Sequence, residues 1–579
     1  MSNTLRYTLS FPHPHTHYIE IEATIPTGGA AEVVMAMAVW TPGSYLVREY
    51  AKGVEAVTAA GADGAALAVD KTRKNRWSIA TNGAPAFTLR YRVYARTMAT
   101  QGNWVSAEFA MLNGAPTFLV PVDRSGATFE IMVKAHPSWA RVVSPLESAG
   151  VPNTFLASSY DELVDSPLYC GNAAVYEFET GGAAHLLVNE GEAGLWDGAK
   201  AAKDTEAIVA AAQTMWGCVP YKRYVFFNMI TDARGGLEHR SSCLLMTGRF
   251  KMRKRKEYVD WLSLVSHEFF HTWNVKRLRP AALGPFDYEN EVYTRDLWVA
   301  EGCTNYYEDI LLSRSALITR DEYLDRLGEL IETLQTTPGR LVQSASAASY
   351  SAWISLYRRD ENTPNVAISY YVKGTVIAFL LDATIRTATN GAKSLDDVML
   401  AAWTKYSGER GFETEEFRAL ASEVAGRDLS QFFALAVDST DELDYGGALG
   451  WYGLRFKAKN GDAKKDDEPK GWLGAITSDK GGRLVVDEVR RATPAYDFGL
   501  NAEDEIVAVD DIRVTPATWE ERLSCYRPGS KAAFLIARRG EIKRLDLAFG
   551  EKPDLQWRLE VLPEPTDEQK AHLAALLGA

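Results

Sequence analysis

The sequence predicts a multidomain α+β protein: a β-rich domain over residues 1–172, an α/β and helical body over 173–446, a small β domain over 447–552 and a tail over 553–579. Three observations lead to this prediction. A chain of 579 residues is longer than one hydrophobic core usually organises. Short runs in which apolar and polar residues alternate fill the beginning of the chain, as in half-buried strands. Helical periodicity then dominates up to about residue 445, where short strand patterns return.

The individual elements follow in chain order. Alternating runs predict the strands of a β-sandwich or saddle-like sheet at residues 18–23, 33–40, 87–94 and 128–133. In the body, the patterns predict a strand at 175–178, a helix at 199–216, a strand at 224–230 and long helices after that. In the last part we expect a charged linker or inserted loop at 457–470, a strand at 484–489 and a terminal helix at 566–577 capped by Thr566.

Composition and charge exclude several classes of function. With 46% hydrophobic and 24% charged residues and no apolar run of roughly 18 residues, the sequence is typical neither of disordered chains nor of membrane-spanning ones. Its 63 basic and 76 acidic residues give a net charge of −13, which argues against a polyanion as the main partner. We therefore expect neither a nucleic-acid partner nor a membrane partner.

The N-terminus and the cysteines bear on the compartment. The first residues lead into an alternating segment without the charged and apolar regions of a signal peptide. We therefore expect a cytoplasmic protein, or a periplasmic or secreted one if a leader has been removed. The five cysteines include no CxxC pair, so the sequence indicates neither a disulfide framework nor a thiolate zinc site: Cys170, Cys218, Cys243, Cys303 and Cys525.

One short segment carries the strongest chemical signal. In His267-Glu268-Phe-Phe-His271 the two histidines are four residues apart, so on a helix both imidazoles face the same side and can reach one metal ion. Glu268 lies beside them, where it can handle a proton. This is the HExxH arrangement of zinc hydrolases. The alternative is an amphipathic helix with two surface histidines.

A zinc ion held by two histidines needs a third protein ligand and an open position. Asn274 and Arg277 stand where a metzincin would have glycine and histidine, so a carboxylate from a later helix is the better candidate. Glu301 lies in an apolar helical setting, where an isolated glutamate would be costly to bury without a cation. Three other glutamates remain as alternatives: Glu289, Glu291 and Glu308.

These residues belong to a recognisable pattern. The segments 267–280 and 298–307, together with the segment 40–50 that begins Trp-Thr-Pro-Gly-Ser-Tyr, resemble the M61 glycyl aminopeptidase family of zinc peptidases, which is related to the alanyl aminopeptidase family. The resemblance implies an N-terminal β domain, a thermolysin-like (gluzincin) catalytic domain and a C-terminal PDZ domain with a barrel-like β fold. It implies one Zn²⁺ per chain and hydrolysis of the first peptide bond of peptides with small N-terminal residues, glycine or alanine.

The resemblance also assigns roles to individual residues. Glu268 would be the general base. The segment from Gly235 and Gly236 to Glu238 and His239 looks like the edge-strand motif of aminopeptidases, in which the glutamate binds the free ammonium group of the substrate. His239 departs from that pattern, since asparagine is usual there. Without the zinc motif, the same residues would be interpreted as a Gly-Gly turn followed by an ordinary strand.

A second motif and two arginines complete the expected site. Tyr370-Tyr371-Val-Lys373-Gly374 is similar to the Y-x-K-G element of alanyl aminopeptidases, which makes Tyr371 the hydrogen-bond donor to the oxyanion and Tyr370 a packing residue. Arg277 and Arg279 are expected to bind substrate carbonyl or carboxylate groups, or to pair with local acids.

The C-terminal part favours a peptide-binding module. In a PDZ domain, Gly471 to Gly474 would be the loop that binds a peptide carboxylate, although Gly450 to Leu454 is a second candidate. The competing function is therefore a PDZ-based scaffold with weak or no peptidase activity. That hypothesis predicts the loss of at least one catalytic residue, and none of the motif residues is lost.

Overall fold

The computed structural model describes residues 3–457, 470–553 and 557–578. The chain divides into two compact units. The first comprises Met1–Thr294, Tyr307–Thr319 and Asp396–Leu420, and the second comprises Arg295–Tyr306, Arg320–Leu395 and Ala421–Ala579. The domain boundaries expected from the sequence stay a prediction, and residues 458–469 of the expected charged linker lie outside the described residues.

The beginning of the first unit is built from β-sheets, as predicted. Its largest sheet has eight strands in the order Glu147–Ser148, Thr154–Ala157, Thr128–Lys134, Thr4–Ser10, Tyr18–Pro26, Ala86–Tyr94, Val54–Ala60 and Ala66–Leu67. Only Thr4–Ser10 and Thr128–Lys134 pair in parallel. Two four-stranded sheets accompany it: Arg141–Val143, Leu168–Gly171, Ala110–Leu112 and Trp104–Val105; and Val120–Pro121, Glu32–Ala36, Arg76–Ala80 and Val69–Arg73.

Alternation of buried and exposed residues explains these strands. In Tyr18–Pro26 every second side chain is buried, as expected for a strand with one face on a core. The apolar run at 33–40 differs from the prediction, because the strand ends at Ala36. Residues Met37 to Trp40 stay buried but leave the sheet: the amide of Val39 donates to the carbonyl of Tyr288, 2.8 Å away.

The same unit contains a further sheet of five strands, which positions the candidate site. Its strand order is Ala174–Thr180, Ala183–Glu190, Arg223–Ile230, Ser242–Thr247 and Gly235–Glu238. The three central strands run parallel, and Ser242–Thr247 is buried on both faces, which accounts for the four consecutive apolar residues at 243–246. Gly235–Glu238 is an edge strand, antiparallel to its neighbour.

Two long helices of this unit belong to the same region. Gly198–Trp216 begins at Asp197, whose side chain accepts a hydrogen bond from the amide of Lys200, and ends at Gly217, which has a φ of 63°. Arg255–Phe270 carries the histidine motif. The prediction of a β-rich first part followed by an α/β and helical part is therefore confirmed.

After residue 295 the described chain is mainly helical. The helices are Trp298–Cys303, which is π-helical, and then Thr304–Arg314, Arg320–Gln335, Ala345–Tyr350, Ala352–Ser355, Thr363–Val366, Tyr370–Ala388, Leu395–Tyr406, Thr414–Ala425, Ser430–Ala436 and Gly446–Tyr452. In the second unit, buried Asp382 accepts hydrogen bonds from the hydroxyls of Tyr306 at 3.1 Å and Tyr452 at 2.8 Å. None of the helices in the described residues combines the length and apolarity needed to cross a membrane.

The end of the second unit forms a small β domain with its own core. Its main sheet has the order Ala475–Asp479, Leu484–Val489, Glu505–Val509, Lys531–Arg538 and Glu541–Ala548, with Ile512–Arg513 beside Glu505–Val509. Short helices span Pro494–Asp497 and Trp519–Ser524, and short strand pairs join Gly471–Trp472 to Gly550–Glu551 and Leu454–Phe456 to Leu559–Val561.

Two predictions about this end of the chain have different outcomes. In the described residues the main sheet stays open at Ala475–Asp479 and Glu541–Ala548, so the expected barrel-like closure is wrong and the PDZ assignment stays a prediction. The terminal helix is confirmed at Asp567–Leu577. Its cap is Thr566, whose hydroxyl accepts a hydrogen bond from the amide of Gln569 at 3.1 Å.

Candidate active site

The two histidines of the motif lie at the C-terminal end of helix Arg255–Phe270, with His271 as its C-cap. Both are buried, and their Nε2 atoms are 3.1 Å apart. The Nδ1 atom of His271 is 2.8 Å from the carbonyl oxygen of Asn274, and that of His267 is 2.8 Å from Oε2 of Glu308. Since a carbonyl or carboxylate oxygen only accepts, each Nδ1 carries a proton, and in the neutral imidazole each Nε2 then presents a lone pair.

This pair of nitrogens fits a metal ion. Two nitrogen ligands of a tetrahedral zinc ion, each about 2.0–2.1 Å from it, lie roughly 3.3 Å from one another, close to the observed separation. Two converging lone pairs repel each other unless a cation or a proton lies between them. The donor set therefore suits zinc, and the Nδ1 contacts fix both tautomers for binding it.

The three glutamates that the sequence offered as alternative metal ligands have different environments. Glu308 faces His267, and its other oxygen accepts a hydrogen bond from the hydroxyl of Ser263 at 2.8 Å. Glu289 is held by Arg76, at 2.7 Å, and by the amide of Asn75. Glu291 is exposed. Glu308 is thus placed to orient a metal-binding histidine, and Glu289 is engaged in an ion pair.

Glu301 lies in the π-helical turn Trp298–Cys303 and is 2% exposed. Such turns are rare in proteins and are frequent at functional sites. Within the described residues of the first unit, one group of buried side chains has ligand atoms within 4.8 Å of one another and could hold a metal ion: Glu238, Glu268 and His271.

Two glycines bring the motif around Tyr371 against the turn that carries Glu301. A Cβ on Gly374 would lie 2.8 Å from the Cα of Gly302 and 2.9 Å from the carbonyl oxygen of Trp298. Burial first, and the negative charge of Glu301 next, raise the pKa of the Tyr371 hydroxyl well above its usual range. Tyr371 therefore keeps its proton and can act as a hydrogen-bond donor.

Tyr370 and Lys373, the motif residues near Tyr371, make contacts typical of structural residues. Tyr370 is fully buried and its ring stacks on that of Tyr371, with centroids 4.8 Å apart, in agreement with a packing role. Lys373 is 2% exposed, and its ammonium group donates to the carbonyl of Ser439 at 3.2 Å. Burial lowers the pKa of Lys373 to about 8.

Glycine is required at the two glycine positions of the edge strand for different reasons. Gly235 has a φ of 123°, a backbone conformation that residues other than glycine rarely adopt. Gly236 has no such conformation, but a Cβ there would overlap the carboxyl group of Glu268. The missing side chain lets Glu268, which is 5% exposed, lie against the strand. Glu238 at the end of the strand is also buried, at 4% exposure.

His239, which stands where asparagine is usual in the motif, contacts Asp165. Its Nδ1 atom is 3.2 Å from Asp165, which also accepts hydrogen bonds from the ammonium of Lys276 and the backbone amide of Arg240, both at 2.6 Å. Burial raises the pKa of Asp165, but Lys276 and His239 outweigh it and hold that pKa below its usual range. An ionised Asp165 thus fixes the chain just after Glu238.

Arg277 has a structural role, and the expectation that it binds substrate is corrected. Its guanidinium donates to the carbonyls of Arg240 at 2.7 Å, Thr272 at 2.8 Å and Pro220 at 3.0 Å. It is 8% exposed, and burial lowers its pKa to about 10. Arg277 therefore ties the end of the histidine helix to the chain after the edge strand. Arg279 lies over the ring of Phe286 at 4.9 Å.

Sequence reasoning missed two features that the structure places beside the motif residues. Gly43 approaches Glu238 so closely that a Cβ would overlap its carboxyl group. Asp165, which precedes His239 by more than seventy residues in the sequence, contacts both His239 and Lys276. The Trp-Thr-Pro-Gly-Ser-Tyr segment at 40–45 was a signal for the first of these contacts. The second had none.

Comparisons with known proteins find similarity to peptidases. Residues 260–377 match the family model of M61 glycyl aminopeptidase, and residues 6–172 match that of the peptidase M61 N-terminal domain. The chain is similar to the crystal structure of an aminopeptidase N family protein from Idiomarina loihiensis, with a TM-score of 0.91 and 28% identity, over 99% of this chain and 100% of that one. These matches support a peptidase of the aminopeptidase type.

A more distant similarity is to the crystal structure of an M1 zinc metallopeptidase from Deinococcus radiodurans. It has a TM-score of 0.47 and 14% identity, over 76% of this chain and 94% of that chain. A search of curated protein sequences finds no significant match.

Proposed function

We propose that this protein is a zinc-dependent aminopeptidase that removes small N-terminal residues, glycine or alanine, from peptides. The observation that carries the proposal is the pair of Nε2 lone pairs on His267 and His271, 3.1 Å apart with both Nδ1 protons fixed by acceptors. Glu301, buried in its π-helical turn, is the proposed third ligand of one Zn²⁺ per chain, as the resemblance to zinc peptidases implies.

Three further residues have roles in the proposed reaction. When bound, zinc lowers the pKa of a coordinated water and polarises a carbonyl group. Glu268 takes a proton from the attacking water and returns it to the leaving amine. Tyr371, which keeps its proton, donates to the oxyanion, a contribution commonly worth about 3 kcal/mol. Glu238 binds the ammonium group of the substrate.

Distances within the first unit support cleavage at the first peptide bond. The ligand atoms of Glu238, Glu268 and His271 all lie within 4.8 Å of one another. In any amino acid, the amine nitrogen and the carbonyl carbon are separated by only one carbon atom. An amine held at Glu238 therefore leaves the first carbonyl within reach of Glu268, and a longer N-terminal segment does not fit between the two carboxylates.

The decisive experiment compares Glu268→Gln with wild type. We expect the variant to keep its zinc, measured by metal analysis, while turnover of an alanyl p-nitroanilide falls by at least about a thousandfold. Glu291→Gln, a change of an exposed glutamate, is the matched control and should keep full activity. Retained activity in Glu268→Gln would rule out its role as the base.

A second comparison tests the exopeptidase assignment. Glu238→Ala should lose activity on free-amine substrates because it removes the buried carboxylate that pairs with the substrate ammonium group. Wild type should leave N-acetylated peptides uncut. Equal cleavage of acetylated and free peptides by wild type would contradict an aminopeptidase. If metal-loaded wild type turned over neither kind of peptide, a scaffold with an inactive peptidase body would be the better description.

We also propose that the small C-terminal β domain is a PDZ domain that binds a peptide C-terminus. The supporting observation is the open edge strand Ala475–Asp479, which directly follows Gly474 with its φ of 76°. A peptide strand can be added at such an edge. Titration of the full chain with a fluorescent peptide, with its carboxylate free or amidated, tests this. Equal binding of both forms would contradict the proposal.

A further inference from the structure

A small pocket lies beside Glu238 in the first unit, and the other residues that line it carry no role in the site described above. The loop from Trp40 to Tyr45 makes one wall, and Leu283 and Phe286 lie on another. We propose that this pocket receives the side chain of the substrate's first residue and limits it to about the size of a methyl group. The inference rests on the proposed aminopeptidase function and identifies residues that set its specificity.

The loop is held rigidly enough to act as a wall. Trp40 is fully buried, and its indole nitrogen donates to the carbonyl of Asp287 at 2.7 Å. Its ring stacks on that of Tyr45, with centroids 6.3 Å apart. Between them, Thr41 and Ser44 form an isolated bridge that closes a tight turn. A wall made of locked aromatic rings does not yield easily to a larger side chain.

The turn of this loop requires glycine at position 43 for two reasons. Its φ is 92°, and a Cβ there would overlap the carboxyl group of Glu238. Many glycines of the N-terminal part have a similar backbone without such a neighbour: Gly29 has a φ of 85° and no other atom within 4 Å of a Cβ. The contact at Gly43 therefore brings the loop against the carboxylate proposed to bind the substrate amine.

The pocket is apolar and small. Trp40, Tyr45 and Phe286 supply aromatic surface, while Lys276 at its margin has its ammonium group bound to Asp165 at 2.6 Å. The cavity volume is about 10 Å³, close to what a single water molecule requires. A hydrogen atom or a methyl group fits this space, whereas a leucine or phenylalanine side chain would have to displace the wall. A charged side chain would lose its hydration there.

The first test enlarges the pocket with Leu283→Ala. We expect the ratio of kcat/KM for leucyl to alanyl p-nitroanilide to rise at least about tenfold, because the removed carbons make room for the larger side chain. Leu112→Ala is the matched control: both leucines are 2% exposed, so both variants carry a core cavity, but Leu112 belongs to the core of the N-terminal sheets and does not line the pocket. The control should keep the wild-type ratio.

The second test uses Gly43→Ala with Gly29→Ala as its control. Both changes place alanine at a positive φ, but only the first pushes against Glu238. We expect Gly43→Ala to reduce kcat/KM by at least about tenfold on free-amine substrates, with most of the change in KM for alanyl amides, and Gly29→Ala to stay near wild type. If Gly43→Ala does not fold, the Leu283 comparison decides alone.

The outcomes separate this inference from the proposed function. Wild type that cleaves alanyl amides while Leu283→Ala keeps the wild-type leucyl to alanyl ratio would overturn the pocket assignment and leave the aminopeptidase function standing. Equal activity of Gly43→Ala and Gly29→Ala would overturn the contact between the loop and the amine site. Wild type that turns over none of the free-amine substrates, with zinc bound, would overturn both.

Discussion

Gly302 and Gly374 pack backbone against backbone. A Cβ on Gly302 would lie 2.5 Å from the Cα of Gly374 and 2.7 Å from its carbonyl carbon, shorter than any real contact. Each glycine directly follows a residue of a motif that the sequence singled out, and the contact places helix Tyr370–Ala388 on the turn that holds Glu301. The two motifs are therefore linked through their glycines.

Gly302→Ala should disrupt this contact. The added methyl group has only backbone to push against, so we expect a loss of about 1–3 kcal/mol in the free energy of unfolding and a larger loss of activity. Gly447→Ala is the control, because that helical glycine has no atom within 4 Å of a Cβ and should gain or lose less than about 1 kcal/mol. Urea unfolding and alanyl amide turnover measure both effects. Equal stability of the two variants would contradict the packing argument.

Glu308→Gln should weaken metal binding without abolishing it. The glutamine keeps the shape of the side chain but removes the charge that makes the His267 imidazole a stronger donor, and changes at such positions usually cost 10–100-fold in metal affinity. Competition with a chromogenic chelator measures the zinc affinity of each variant.

The control for this measurement is Glu291→Gln, since Glu291 is exposed and should leave the affinity unchanged. A complete loss of zinc in Glu308→Gln, together with full retention in Glu301→Gln, would contradict the proposed ligand set. In that case Glu308 would be the third ligand.

Local spacing explains which parts of the site were predictable. His267, Glu268 and His271 are read from helical periodicity, whereas the resemblance to the aminopeptidase motif predicted Gly235–Glu238 at a sheet edge, where the structure has it. Contacts between distant segments were not predictable: Glu308 is 41 residues from His267, and Asp165 is 74 from His239. No pattern of spacing encodes such a contact, because the fold alone brings the partners together.

The same distinction applies to the fold. Alternation located most strands and helices, but the run at 33–40 was predicted as strand to its end and is strand only for Glu32–Ala36. Its last residues are apolar because they lead into the buried loop at Trp40, not because they pair in a sheet. Burial without strand pairing gives the same hydrophobic signal as a strand, so sequence pattern cannot separate the two.

His185 should make the stability of the metal-free protein depend on pH in a mildly acidic window. Burial lowers the pKa of His185 to about 4, below the ordinary value near 6.5 that an unfolded chain has. Between these values the unfolded state binds a proton that the folded state does not. The stabilising contribution is therefore complete above about pH 6.5 and is lost as the pH falls towards 4, by roughly 3 kcal/mol in total.

Urea unfolding from pH 7 to pH 4, with chelator present throughout, measures this contribution. His185→Gln should flatten the change in free energy of unfolding across the window. His13→Gln, a change of an exposed histidine, should follow the wild-type curve. Parallel curves for wild type and His185→Gln would mean that another group is responsible for the acid sensitivity.

Arg277→Lys should lower stability rather than change substrate preference. Three carbonyls accept from the Arg277 guanidinium, and a lysine ammonium cannot reach all of them with the same planar geometry. A buried acceptor left without a donor costs about 1–3 kcal/mol, so we expect a loss of roughly 2–4 kcal/mol in the free energy of unfolding. Because Thr272 follows His271 directly, zinc affinity should fall as well, while KM changes equally for dipeptides and their C-terminal amides. Arg358→Lys, in an exposed loop, is the control. A selective rise in KM for free dipeptides at unchanged stability would instead assign Arg277 to the binding of the substrate carboxylate.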